Sequence, residues 1–231
     1  MTCRLLLLPG MDGTGDLFAD FAAAIPEPYD IVTVGYPTDR CLSYDELAPL
    51  VETAASRGGP FVLIAESFST PLAIRFAATN PAGIKGLVLC AGFAQSPMRG
   101  FMRLLSLFAP MLFRMGIPEG VARHFLVGRD ASGELLSQVR AAIGRVEPRV
   151  LSFRLRSVLK CDVRDDLMRI TVPVLYLKAG KDRLVPAWCE NEIRKILVHA
   201  ECVEINGPHL LLQREPQKAA SVITRFLQRS D

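Results

Sequence analysis

Short apolar runs recur along this chain and alternate with longer stretches whose apolar residues repeat at helical spacing. The runs fall at residues 4–8, 31–34, 61–65, 86–90, 174–178 and 202–205. Most lack the apolar–polar alternation of a strand with one wet face. That suits strands buried on both faces, as in a parallel sheet covered by helices. Between the runs, residues 16–25 place Leu17, Phe18, Phe21 and Ile25 at helical spacing. Residues 43–57 open with Ser43 three positions before Glu46, the pattern of a capping box. Stretches 70–79, 187–197 and 216–228 complete the helical set. Repeated strand–helix–strand units predict an α/β fold with a doubly wound, mostly parallel sheet.

One segment breaks the rhythm. From residue 93 to residue 160 no clear strand appears. Helical stretches rich in Met, Phe, Leu and Arg are punctuated by Pro110, Gly116, Pro118, Gly133, Gly144 and Pro148. This is too long for a simple connection in a compact domain. The pattern predicts a core made of 1–92 and 161–231, with a helical cap inserted at 93–160.

Composition narrows the function classes. A chain of 231 residues with 50% hydrophobic residues can bury a substantial core. A net charge of +3 is too small to suggest nucleic-acid binding. The leucines at 5–8 form too short a run for a signal-peptide core or a membrane span. Six scattered cysteines include no C-x-x-C pair, and Cys90 ends an apolar run as a core thiol would. A cytoplasmic, reducing location fits that pattern. No cysteine–histidine spacing resembles a zinc site.

The candidate chemistry begins at residues 61–73, Phe-Val-Leu-Ile-Ala-Glu-Ser-Phe-Ser-Thr-Pro-Leu-Ala. A buried strand runs straight into Ser67 and a helix pattern follows, which is the setting of a nucleophile elbow. Strand and helix pack closely there, so the positions two before and two after the serine must be small. They usually hold glycine; here they hold Ala65 and Ser69. Residues 7–15, Leu-Leu-Pro-Gly-Met-Asp-Gly-Thr-Gly, follow the first strand. They lack the Gly-Lys-Ser/Thr ending of a phosphate loop and the spacing of a dinucleotide fold. They fit a loop that lends a backbone N–H to an oxyanion hole, with Met11 and Phe68 as the two donors by position. Each such donor is worth roughly 3–4 kcal/mol of transition-state stabilisation. Asp182 and His209 each lie just beyond the end of a later strand. In a parallel sheet all these loops emerge along the carboxyl edge, so Ser67, Asp182 and His209 converge. Their chain order is the one expected of a serine hydrolase on such a sheet. His124 falls in the cap and His199 precedes a strand, so neither fits as the base. Asp162, Asp165 and Asp166 also precede a strand and read as helix-terminal or surface charges.

With these elements in place, the chain resembles the α/β-hydrolase superfamily over essentially its whole length. The string Pro-Gly-Met-Asp-Gly-Thr-Gly and the elbow Glu-Ser-Phe-Ser are similar to those of an esterase, lipase and thioesterase branch that includes phytyl ester synthases. The cap and the stretch Lys-Cys-Asp-Val-Arg-Asp-Asp-Leu at 160–167 are similar to acyl-carrier-protein methyl esterases. The resemblance implies acyl transfer without metal or organic cofactor. His209 would take the Ser67 proton, Asp182 would hold the histidine tautomer, and an acyl-enzyme would form.

The cap adds two expectations. It carries eleven basic and four acidic residues, a net +7, while the rest of the chain is −4. This is either a solvated helical face or a docking surface for an acyl carrier protein or another anionic carrier. Phe93, Phe101, Met102, Leu105 and Phe108 are candidate lining residues of a pocket for short-to-medium acyl chains, with Met111, Leu112, Phe113 and Met115 close by. Three functions compete: a carboxylesterase acting on a small-molecule ester, an acyltransferase or thioesterase acting on carrier-bound acyl groups, and a non-catalytic binding protein.

Overall fold

The computed structural model describes residues 3–98 and 109–230. Six strands build one sheet: β1 (Arg4–Leu8), β2 (Asp30–Thr33), β3 (Phe61–Glu66), β4 (Ile84–Cys90), β5 (Val174–Ala179) and β6 (Glu201–Ile205). Their spatial order is β2-β1-β3-β4-β5-β6, and every neighbouring pair is parallel.

Helices cover both faces, which is why the strands carry apolar side chains at successive positions rather than at alternate ones. On one face Leu6, Leu8, Leu63, Leu87 and Leu89 pack with α2 (Tyr44–Ala55) and α3 (Thr70–Ala78). On the other, Leu5, Leu7, Val62, Ile64, Val88 and Cys90 pack with Phe21 of α1 (Ala19–Ala24). The edge strands β2 and β6 are only partly covered and carry Thr33, Glu201 and Glu204. The expected helix over 16–25 divides into a 3₁₀ turn, Asp16–Phe18, and α1. Gly15, at φ 79°, starts that turn, and its carbonyl accepts from the Phe18 N–H three residues on.

Between β4 and β5 the described residues are helical apart from turns and one isolated bridge. They include Ala109–Arg114, Glu119–Ala122, a π-helical turn at Arg123–Val127, then α4 (Gly133–Gly144), α5 (Pro148–Lys160) and Arg164–Leu167. The chain leaves and returns at one place. Gln95 and Asp162 form an antiparallel bridge, the Ser96 N–H donates to the Cys161 carbonyl (2.9 Å), and the Val163 N–H donates to the Ala94 carbonyl (2.7 Å). After β5 come α6 (Ala187–Ile196), then α7 (Pro216–Ser230) behind β6. Cys189 and Ile193 of α6 join the first core, and Ile223 and Phe226 of α7 join the second. Cys90, Cys161 and Cys189 are buried. Among the described residues no helix is long and apolar enough to cross a membrane.

Candidate active site

The site forms where the strand order reverses. From β1 the chain steps outward to β2, whereas β3 leads the other way to β4, β5 and β6. Loops at the carboxyl ends of β1 and β3 therefore part to opposite faces and leave a crevice between them. The register pairs Leu8 with Ala65 and Glu66 with Cys90, so the loop after β1 emerges beside the turn after β3.

Ser67 stands at that turn with φ 49°, a left-handed conformation that a residue with a Cβ rarely adopts. The turn holds this geometry through side-chain anchors. Thr70 Oγ1 donates to the Ser67 carbonyl (2.8 Å), and the same oxygen accepts from the Phe93 N–H (3.1 Å). Tyr44 Oη donates to the Phe68 carbonyl (2.9 Å), and the Tyr44 ring stacks on Phe68 with centroids 5.0 Å apart. Ser69 takes the place of the usual small glycine and uses its hydroxyl. It donates to the Pro9 carbonyl and accepts from Tyr36 Oη, at 2.6 Å from the tyrosine oxygen. The extra atoms therefore tie the elbow to the loop after β1. Ala65 is fully buried.

The structure brings the three expected polar side chains into one line. His209 Nδ1–H donates to Asp182 Oδ2 (2.8 Å), which leaves Nε2 to accept from the Ser67 hydroxyl (2.8 Å). The other Asp182 oxygen accepts the N–H groups of Leu184 (2.8 Å) and Val185 (3.0 Å), fixing the carboxylate plane. Burial works against the His209 imidazolium. The adjoining Asp182 carboxylate, helped by Glu66, outweighs burial and raises the imidazole above its ordinary value.

Met11 lies in the loop after β1, and Phe68 directly follows Ser67 in the turn after β3. Met11 and Asp12 are the central residues of a turn closed by the Gly13 N–H on the Gly10 carbonyl (3.1 Å). The Met11 N–H has no acceptor among the described residues. The Phe68 N–H lies in the first turn of a helix, where backbone donors have no intrahelical acceptor. As N–H groups, both would donate to a ligand oxygen.

Other expectations fare differently. Phe93 lies in the main core and holds Thr70 through its backbone. Phe101, Met102, Leu105 and Phe108 lie outside the described residues. Met111 and Met115 are 65% and 75% exposed, and Met115 borders an open surface groove with Ile117 and Leu136. Phe113 instead packs with Met11, Leu155 and Leu151. His124 contacts Arg183, and Asp162 pairs with Arg164, both away from Ser67's line. Arg154 needs correction. It is one of the eleven basic residues of 93–160 for which a solvated face or a docking surface was expected, but its side chain is buried, with 2% exposure. The signal was in the spacing, because Val150, Leu151, Arg154, Leu155 and Val158 share one face of α5.

Glu66 was also passed over. It is buried beside Ser67 and accepts from Gln213 Nε2 (3.1 Å). Burial pushes its carboxyl up to about 7, against the pull of His209 and Gln213 and with a further push from Asp12. A charged residue closing an apolar strand was the available clue. Among the described residues no three His, Cys, Asp or Glu side chains are grouped to hold a metal.

Comparison with known proteins places these features in context. A family model described as "Alpha/beta hydrolase family" matches residues 5–222. Pimeloyl-[acyl-carrier protein] methyl ester esterase of Xanthomonas oryzae pv. oryzae is 26% identical over 241 residues, covering 96% of this chain and 94% of that protein. Phytyl ester synthase 1, chloroplastic, of Arabidopsis thaliana is 25% identical over 244 residues. That match covers 90% of this chain but spans only 35% of the plant protein's length. The crystal structure of bromoperoxidase from Bacillus anthracis superposes with a TM-score of 0.86 at 15% identity, covering 99% of this chain and 92% of that one. At that identity the likeness is one of fold.

Proposed function

The chain belongs to the alpha/beta hydrolase family, and from that premise we propose that it is a serine carboxylesterase working through an acyl-enzyme on Ser67. The unbroken line from Asp182 through His209 to Ser67, at 2.8 Å for each link, is the observation that carries this reading. His209 Nε2 takes the hydroxyl proton as Ser67 Oγ attacks the ester carbonyl. Asp182 keeps the proton on Nδ1 and stabilises the imidazolium. The oxyanion forms against the Met11 and Phe68 N–H groups, the alcohol leaves with the proton from His209, and water releases the acid. This set of residues needs no cofactor for that cycle.

Ser67→Ala tests the proposal. The variant should keep its melting temperature and lose turnover of p-nitrophenyl butyrate by a factor on the order of 10⁶. A fluorophosphonate probe should label Ser67 in the native chain and leave the variant unlabelled. Native-like turnover by the alanine variant would sink the assignment, and absence of labelling would favour a non-catalytic binding protein.

A second reading, a thioesterase or acyltransferase acting on carrier-bound acyl groups, has two supports. One relative is named for an acyl-carrier-protein ester, and residues 93–160 carry a net +7. We propose 93–160 as a cap that an anionic carrier would approach.

A further inference from the structure

Arg154 is a guanidinium buried in an unusual setting. It reaches from α5 into the loop after β1 and makes no ion pair among the described residues. Its Nη1 donates to the carbonyls of Met11 (2.8 Å) and Asp12 (2.7 Å), and its Nη2 donates to the carbonyl of Pro37 (2.9 Å). Its Cζ stands over the Tyr36 and Phe68 rings, 5.7 Å and 5.9 Å from their centroids. Gly13 leaves it room, since a Cβ there would stand 2.5 Å from Nη1.

A buried cation held by neutral carbonyls is expensive beside an apolar side chain of the same volume. A leucine on this face of α5 would fill the space more cheaply but could fix no peptide group. The guanidinium bonds three, two of them in one turn. The bonded carbonyls of that turn belong to the Met11–Asp12 and Asp12–Gly13 peptides. They are next in the turn to the Gly10–Met11 peptide, which carries the Met11 N–H and whose carbonyl takes the Gly13 N–H. The contact therefore braces the turn that presents the Met11 N–H without bonding that peptide itself. The same side chain ties that turn to Pro37, beside the Tyr36 N–H bond to the Gly13 carbonyl (2.7 Å). Met11's side chain packs against Leu155 and Leu151 of α5. Loop, elbow ring and cap helix thus meet at one planar group.

We infer that Arg154 is a positioning residue for ester hydrolysis: docked from α5, it holds the Met11 N–H aimed at the oxyanion and makes assembly of the oxyanion hole depend on the seating of that helix. This rests on the reading of Ser67 as the nucleophile. An oxyanion hole works because its donors are already oriented when charge develops, with no reorganisation left to do. A loop that can turn its Met11 peptide away would bind the neutral ester as before and lose the transition state.

The test uses the full chain with p-nitrophenyl butyrate and an alkyl trifluoromethyl ketone, whose adduct with serine carries the oxyanion. In Arg154→Lys one ammonium replaces a fork spanning three carbonyls. Its kcat should fall on the order of tenfold to a hundredfold, less than loss of a whole donor. KM should stay within about twofold, and the ketone's Ki should rise by the same factor as kcat falls. Methylguanidinium added to Arg154→Ala should restore part of kcat. Folded Arg154 variants with native kcat and Ki would overturn the inference. So would a variant whose kcat falls while Ki stays put, because the arginine would then serve only the fold. Fluorophosphonate labelling separates the two levels. A native chain unlabelled at Ser67 overturns the esterase reading and this inference with it, whereas labelled Ser67 with unaffected Arg154 variants overturns this inference alone.

Discussion

At the scale of single residues, the carboxyl of Glu66 lies between two parts of the site. A Cβ on Gly10 would stand 3.7 Å from its Oε2, and Gln213, four residues past His209, donates to the same oxygen. Its Oε1 is buried without a partner. A negative Glu66 helps keep a proton on His209, and its own carboxyl titrates near 7, within reach of the imidazole. The two protons are therefore coupled, and the acidic limb of kcat/KM belongs to the pair. The base must be neutral to accept the Ser67 proton, so activity rises with pH through a midpoint above the ordinary histidine value of about 6.5. Glu66→Gln removes a charge that raises the histidine, so the limb should move to lower pH and follow a one-proton curve. A limb that stays where it was would mean that Glu66 is neutral throughout and silent toward His209.

Among the elements, local chemistry and tertiary packing left different traces in the sequence. The central strands were legible because burial on both faces demands unbroken apolar runs such as Leu5–Leu8 and Val62–Ala65. The edge strands were less sharply bounded because one flank of each is open, and β6 begins at the polar Glu201. The start of α2 was legible in full. Ser43 Oγ accepts from the Glu46 N–H (3.3 Å) while the Glu46 carboxylate accepts from the Ser43 N–H (2.8 Å). Ser43→Ala should lower stability by about 1 kcal/mol. For a chain of this length that lowers the melting temperature by roughly 2–4 °C, with kcat unchanged; a calorimetric melt beside an esterase assay checks both. Order along the chain made Ser67, Asp182 and His209 legible, since parallel strands deliver their loops to one edge. Arg154 was not legible as a functional group. A charge count treats every arginine as solvated, and only the apolar neighbours on α5 show that this one points inward. The Ser69–Tyr36 contact was invisible as well, because it joins residues 33 positions apart through packing alone.

For the whole molecule, the charge between residues 93 and 160 is distributed unevenly once Arg154 is taken inside. Arg145 pairs with Asp16 and Arg149 with Glu147, whereas Arg140, Arg156 and Lys160 are exposed. Surface charges act over about 8 Å at physiological salt. If these groups steer an anionic carrier, kcat/KM for an acyl-carrier or coenzyme A thioester should fall steeply from low to high salt, while p-nitrophenyl butyrate stays level. Replacing Arg140 and Arg156 by alanine should lower the first value and spare the second. Equal salt dependence for both substrates would return these residues to the role of a wet surface. The bridge between Gln95 and Asp162 carries a different consequence. Both ends of the helical segment meet at one strand spacing, about 5 Å, so the sheet registers only that the two ends touch and not what hangs between them. The segment is in that sense a cassette, open to replacement in laboratory grafting or in natural divergence. A foreign insert would have to replace the core packing of Val158 and the cover over Leu210, and to bring a forked donor able to reach the carbonyls of Met11, Asp12 and Pro37.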